Sequence, residues 1–179
     1  MAEILNFLGF NGLINTFWNI LAYAGMVMII VAVISKKLQN HFFFWGPMLL
    51  LTYAFFYLHN PLLAGLQLII TVSGALNLLK IKKSAPWIVG ILTVVVYLYL
   101  LATGSINGIW YWIGSFGLCA IGMGLTQLPK KRSFVIMSIG GILIVLYSGP
   151  WALKIWIWFI LNLVFFGANV LTLLRWKKE

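Results

Sequence analysis

The stretch Leu62-Leu63-Ala64-Gly65-Leu66-Gln67-Leu68-Ile69-Ile70-Thr71-Val72-Ser73-Gly74-Ala75-Leu76-Asn77-Leu78-Leu79 holds no charge, and Lys80-Ile81-Lys82-Lys83 follows at once. An uncharged run of this length reads as a bilayer-spanning helix, and lysines just beyond it read as a cytoplasmic flank. The rest of the chain has the same character. Of its 179 residues 63% are hydrophobic and 8% charged, with mean hydropathy +1.06. A soluble domain carries roughly 25% charged residues. There is too little polar side chain to cover a water-facing surface, which excludes a soluble enzyme and a nucleic-acid-binding domain. Seven spans of about 20 residues use about 140 positions, and the remainder is too short for a second, soluble domain.

Working outward, lysine clusters and turn residues divide the chain into seven expected spans. The first is Leu13–Ser35, closed by Lys36-Lys37. The next charge-free stretch, Leu38 to Leu79, is 42 residues and holds two spans, Phe42–Leu58 and Leu62–Leu79. They part at His59-Asn60-Pro61, because proline lacks an N–H and Asn-Pro favours turns. Ser84 to Pro129 is 46 residues and is broken by Thr103-Gly104-Ser105-Ile106-Asn107 into Trp87–Ala102 and Gly108–Leu128. After Lys130-Lys131-Arg132 come Phe134–Tyr147, ended by Ser148-Gly149-Pro150, and Trp151–Leu174. The start, Met1-Ala2-Glu3, is acidic rather than basic, so the first span is expected to stay rather than be cleaved.

The formal charge of +10 comes from 12 Lys and Arg against 2 acidic residues, Glu3 and Glu179. With the N-terminus outside, 11 of the 12 basic residues fall in cytoplasmic segments, and Lys154 alone is left over. This sorting follows the positive-inside rule and predicts a multi-pass cell-membrane protein with its C-terminus cytoplasmic.

The order of events repeats. Residues 12–83 run inward to Lys36-Lys37, return to Asn60-Pro61, and run inward through Gly74-Ala75-Leu76-Asn77 to Lys80. Residues 108–178 run inward to Lys130-Lys131-Arg132, return to Gly149-Pro150, and run inward through Gly167-Ala168-Asn169 to Arg175. The two segments are 72 and 71 residues long. Residues 84–107 supply one connecting helix, and because three is odd, that helix gives both triplets the same orientation. The expected fold is all-α, polytopic, with two parallel three-helix bundles joined by a linker. This 3+1+3 order resembles that of the SWEET transporters, whose repeats are related by an axis along the membrane normal.

Apart from Lys154, no expected span holds Asp, Glu, Lys or Arg. Ion-coupled transporters bury such groups in the pathway, so their absence predicts a facilitator of a neutral or weakly charged solute. His41 and His59 lie at the two ends of the second span. With the single Cys119 they make no metal-ligand set and no disulfide. No nucleotide-binding loop and no hydrolytic constellation occurs, so no cofactor and no enzymatic role are expected.

Amides, hydroxyls and aromatics remain at mid-depth. At 100° per residue Trp158, Asn162, Phe165 and Asn169 fall within about 60° of one another. Gln67, Thr71 and Gly74 form a second stripe, and Asn15, Asn19, Tyr23 and Met26 a third. A fourth, Trp112, Ser115, Cys119, Gly122 and Thr126, reads as a helix-packing surface, since small residues let membrane helices approach closely. Trp45, Trp87, Trp110, Trp151 and Trp176 read as interfacial belt residues. Gly46-Pro47 is a candidate kink or hinge.

The string Ser35-Lys36-Lys37-Leu38-Gln39-Asn40-His41-Phe42-Phe43, then Leu51-Thr52-Tyr53-Ala54 and the Gln67 helix, resembles the first half of the PnuC-type vitamin transporters. The close Leu174-Arg175-Trp176-Lys177-Lys178 resembles the end of their second half. The resemblance implies facilitated uptake of a nicotinamide riboside, riboflavin or thiamine type of solute, trapped by a cytosolic kinase. It matches Tyr53 and Gln67 to the family's tyrosine and amide. The family's Trp-x-x-Trp-x-x-x-Asn/Asp pattern is replaced here by Phe134, Met137 and Gly141.

The substrate-binding candidates are therefore Asn19, Tyr53, Gln67, Thr71, Trp158, Asn162 and Asn169. The leading function is alternating-access passage of a vitamin or nucleoside-like compound without ion coupling. A SWEET-like sugar facilitator and a non-transporting accessory membrane subunit stand as alternatives. The expected partners are the lipid bilayer, the solute and the kinase; a homo-oligomer is compatible with the pattern, and nucleic acid is not expected.

Overall fold

The computed structural model describes Phe10, residues 12–152 and residues 156–176. Among these the regular elements are seven α-helices: α1 Leu13–Ile34, α2 Gln39–Phe56, α3 Pro61–Leu78, α4 Ala85–Ala102, α5 Ile109–Leu125, α6 Lys131–Ser148 and α7 Trp156–Arg175. Five of them (α1, α3, α4, α6 and α7) are long and apolar enough to cross a membrane, and α5 is an apolar helix of 17 residues. The chain is an all-α polytopic membrane protein.

Local chemistry sets the helix ends. Asn60 caps α3, its Oδ1 accepting from the Leu63 amide at 3.0 Å, with Pro61 in the first turn where its missing N–H costs nothing. Both α1 and α5 are entered through a glycine with left-handed φ, Gly12 at 110° and Gly108 at 91°, a conformation a Cβ would strain. Three helices start three or more residues from the sequence expectation, and the fifth ends three residues early, at Leu125 rather than Leu128. The second begins at Gln39 rather than Phe42, the sixth at Lys131 rather than Phe134, and the seventh at Trp156 rather than Trp151. Charges and amides mark where the bilayer ends, not where a helix must: Gln, Lys and Arg are good helix formers and carry the helix past the apolar boundary. Trp151 instead lies in a turn, its indole donating to the Leu146 carbonyl at 3.0 Å, and Lys154 lies outside the described residues.

Helix packing forms a closed ring. In order round it, α1 packs on α2, α2 on α3, α3 on α5, α5 on α6, α6 on α7, and α7 back on α1, while α4 rests outside against α3 and α5. Exchanging the first three helices for the last three maps this pattern onto itself. The C-terminal ends of α1, α3, α5 and α7 and the starts of α2 and α6 meet at one lysine-bearing end, so the two triplets run in the same direction.

Between lipid-immersed helices there is little hydrophobic drive, and association rests on close packing. The ring obtains it from glycine. A Cβ placed on Gly25 of α1 would stand 2.7 Å from the Gly46 carbonyl oxygen of α2, and one on Gly46 would stand 2.6 Å from that of Gly25. In the other triplet a Cβ on Gly140 of α6 would lie 2.6 Å from the Gly117 oxygen of α5. The neighbour in each crossing is an isoleucine four residues on, Ile29 and Ile121.

The third in-triplet contact has a different origin. Pro47 has no N–H for the Phe43 carbonyl one turn back, and that carbonyl faces Gly74 of α3, where a Cβ would come within 2.1 Å of the oxygen.

The exterior is apolar. On α4, Trp87, Ile91, Val94, Val95, Leu98 and Tyr99 are all more than half exposed, Trp87 at 77%. A water-soluble monomer rarely shows so continuous an apolar face, whereas lipid accepts it. Polar side chains go inward instead: Asn19, Gln39, Gln67, Asn77, Ser115 and Asn169 are all buried.

Candidate functional site

Five helices of the ring surround a central cavity of about 50 Å³. Part of its lining pairs off across the two triplets, α1 with α5 and α3 with α7, while α2 adds Phe43, Pro47 and Leu50 and α6 adds none. Met26 and Ile29 of α1 stand where Leu118 and Ile121 of α5 stand. Gln67 and Ile70 of α3 and Asn162 and Phe165 of α7, at the same three-residue spacing, border the cavity together. Trp158 closes one side and is 3% exposed. The Gln67 Oε1 is buried with no hydrogen-bond partner. The Asn162 amide nitrogen donates to the Trp158 carbonyl at 2.8 Å, which leaves the Asn162 Oδ1 as an acceptor. The cavity thus offers acceptor oxygens, an indole and aliphatic walls, and among the described residues no charge lines it.

A second space opens at the lysine end. It measures about 430 Å³ and is bounded by all six ring helices or the loops beside them, with Lys36, Lys80, Lys82, Gln39, Asn40 and Asn77 contributing the polar groups. Gln67 and Asn77 are ten residues apart on α3, as are Asn162 and Thr172 on α7, so the vestibule lies about 15 Å further along the same axis. Asn169 sits between Phe165 of the cavity and Thr172 of the vestibule. It is fully buried, donates to the Phe165 carbonyl at 2.8 Å, and keeps an Oδ1 with no partner.

Of the seven residues the sequence singles out, the structure brings Gln67, Trp158 and Asn162 together on the cavity. Asn19 and Tyr53 bond to each other instead, the Tyr53 hydroxyl donating to the Asn19 Oδ1 at 3.1 Å. Tyr57 likewise donates to the Asn15 Oδ1 at 2.9 Å, so α1 and α2 are tied twice at the end away from the lysines. Thr71 is buried and donates to the Gln67 carbonyl at 2.8 Å. The stripe on α5 is used for packing: Trp112 stacks on Tyr97 of α4 at 6.0 Å, the Cys119 thiol lies 3.7 Å from the Tyr97 hydroxyl, and Gly122 abuts Ile69 and Ser73 of α3. Both histidines are exposed, and no group of metal-ligating side chains occurs among the described residues.

The vestibule was not legible as a site. Its lysines read as topology signals and Trp176 as a belt residue, yet Trp176 lines the vestibule with its ring 5.5 Å from that of Phe134. The signal that points to it is the placement of Gln39, Asn40 and Asn77 beside lysines at a single depth. Comparison with family models, with curated proteins and with solved structures finds no match.

Proposed function

We propose that the chain is a facilitator of a small uncharged solute, passed along the axis between two like-facing triplets. The observation that carries this reading is the paired part of the central cavity's lining, Gln67 with Asn162 and Met26 and Ile29 with Leu118 and Ile121, in line with an open vestibule. An acceptor-rich, charge-free cavity beside an indole suits a ring bearing N–H or O–H donors, which is the chemistry of a vitamin, nucleoside or sugar. In this reading the lysine end is cytoplasmic, the two triplets descend from a duplication, and passage is not coupled to an ion. A cytosolic kinase that phosphorylates the arriving solute would make uptake one-way.

A cavity of about 50 Å³ admits only water-sized guests, against the 300 Å³ or more of a drug-sized site. A nucleoside therefore needs the triplets to part, as alternating access requires. The same small volume favours the second reading, an accessory subunit whose amides pack helices. Proteoliposome uptake of radiolabelled vitamins, nucleosides and sugars separates the two. Uptake that falls at least tenfold in Gln67→Leu and Asn162→Leu supports the facilitator, and saturable riboflavin binding selects a vitamin over a sugar. Absence of uptake for the whole panel, with Asn162→Leu silent in cells, overturns it.

A further inference from the structure

The vestibule at the lysine end is more than the mouth of a pathway. Lys80 and Lys82, with Lys36 from a second loop, come onto one concavity of about 430 Å³, and among the described residues no acidic side chain lines it. Positive-inside lysines ordinarily spread over a convex rim in water. Here they stand beside two buried amides, Gln39 and Asn77, each 6% exposed. The Asn77 amide nitrogen donates to the Asn40 Oδ1 at 2.9 Å, which uses the Asn40 carbonyl and leaves its NH2 hydrogens as donors. The first turn of α2, which begins at Gln39, has no side-chain cap, so its backbone N–H groups add the positive end of an 18-residue helix.

Lys80 stands on the vestibule wall in an uncommon backbone conformation. It adopts φ 59°, the left-handed conformation just past the end of α3, with its own amide bonded to the Asn77 carbonyl at 3.1 Å and the Ile81 amide to the Leu76 carbonyl at 2.9 Å. Glycine is the usual residue there because a Cβ costs about 1 kcal/mol in that conformation. A strained lysine in place of glycine puts an ammonium group on the vestibule wall at the expense of helix-end stability.

We propose that this vestibule binds a phosphate group, carried either on a soluble aromatic monoester or on a lipid headgroup. Ammonium groups, amide N–H donors and a helix start supply charge-assisted hydrogen bonds to phosphate oxygens, and the Trp176 indole offers a face to an aromatic ring. The assignment requires no transport and stands whether or not the solute reading above holds.

Phenyl phosphate is the soluble probe, titrated into full-length protein in phosphatidylcholine nanodiscs and again in phosphatidylglycerol nanodiscs. Retention of phosphatidylglycerol over phosphatidylcholine is read in parallel by native mass spectrometry. Saturable binding of phenyl phosphate that is unchanged by lipid assigns the site to soluble monoesters. Binding lost in phosphatidylglycerol, or selective lipid retention alone, assigns it to headgroups. In either case Lys80→Gln and Lys82→Gln should each weaken binding about tenfold. The neighbours Lys37→Gln and Lys83→Gln, outside the lining and equal in charge change, should leave it within about twofold. No binding of either probe overturns the proposal, and so does an equal effect of Lys82→Gln and Lys83→Gln.

Discussion

Gly74→Ala tests the packing most directly, because the atom it adds has nowhere to go. The new Cβ would stand 2.1 Å from the Phe43 carbonyl oxygen, 2.8 Å from the Phe43 carbonyl carbon and 3.0 Å from the Phe44 Cα. All three are backbone atoms, so no rotamer change can make room. Ordinary contact begins near 3.4 Å, so α3 and α2 must separate by about 1.3 Å along that line. Overpacking of this kind costs about 1–3 kcal/mol, and a backbone neighbour puts the cost at about 3. For a chain of this size that corresponds to a fall of about 6–12 °C in Tm. Thermal unfolding in detergent, followed by tryptophan fluorescence, reads it. Gly90→Ala and Gly167→Ala are the comparators, since a Cβ at either meets nothing within 4 Å; both should be neutral or gain up to about 1 kcal/mol from helix propensity. Pro47→Ala supplies an N–H that draws the Phe43 carbonyl back to its own helix, so the Gly74→Ala penalty should shrink by at least about 0.5 kcal/mol in that background. A Gly74→Ala protein as stable as Gly90→Ala would refute the close approach of α2 and α3.

Gly46→Ala and Gly140→Ala meet backbone oxygens at the same 2.6 Å and isoleucine Cγ1 atoms at 2.8 and 2.7 Å, so their Tm losses should agree within about 3 °C; a large difference would deny the likeness of the two crossings. Tyr53→Phe removes the donor to Asn19 and should cost about 0.6–1.7 kcal/mol, whereas Tyr147→Phe deletes a buried hydroxyl that has no partner and should be neutral or stabilising in the same melt. Lys80→Gly relieves the left-handed strain and should add about 1 kcal/mol of stability while weakening phenyl phosphate binding, a pair of opposite effects that a mere surface lysine would not give. In a Cys119→Ser background, a short thiol reagent joining Ile69→Cys to Gly122→Cys across α3 and α5 should stop solute uptake, and unchanged uptake after bridging would show that this contact does not open.

The spans were legible because punctuation in a membrane protein is chemical. Asn60-Pro61 both ends one helix and caps the next, and lysines cannot enter the hydrocarbon. Gln67, Trp158 and Asn162 were legible for a related reason: an amide at mid-depth has few places to turn, and a stripe of them faces the ring's interior. Asn19 and Tyr53 escaped that reading. A helical stripe says which face turns inward but not which neighbour it meets, and α2 brings Tyr53 to bond with Asn19 before any guest can. Gly167 shows the opposite failure. By order in the chain it matches Gly74, yet a Cβ there meets nothing while one at Gly74 meets backbone. Glycine spacing records a possible contact, and the partner helix decides whether it is made.

The kinds of contact within and between the triplets also differ, and the difference bears on how the ring can move. Inside the triplets α6 meets α7 at Gly141 mainly through the Phe165 and Phe166 side chains, but at the other three of the four crossings the helices touch backbone to backbone, Gly25 with Gly46, Gly74 with the Phe43 carbonyl, and Gly117 with Gly140. Such contacts have one good geometry, and small displacements forfeit them. Between triplets each contact involves a side chain: a Cβ on Gly122 would meet the Ile69 Cγ2 at 3.0 Å and the Ser73 Oγ at 3.3 Å, and the Thr172 hydroxyl reaches the Val33 backbone carbonyl at 3.4 Å while also donating to its own helix at 2.9 Å. Side chains change rotamer and hydroxyls have a second partner, so separation along α3/α5 and α1/α7 should cost less than separation along α1/α2, α2/α3 or α5/α6. Those two lines flank the central cavity and end at the vestibule. The bonds Tyr53 to Asn19 and Tyr57 to Asn15 lie within one triplet and would survive such a separation. Under the proposed facilitator reading, opening would run along these two lines, with the cavity widening between Gln67 and Asn162.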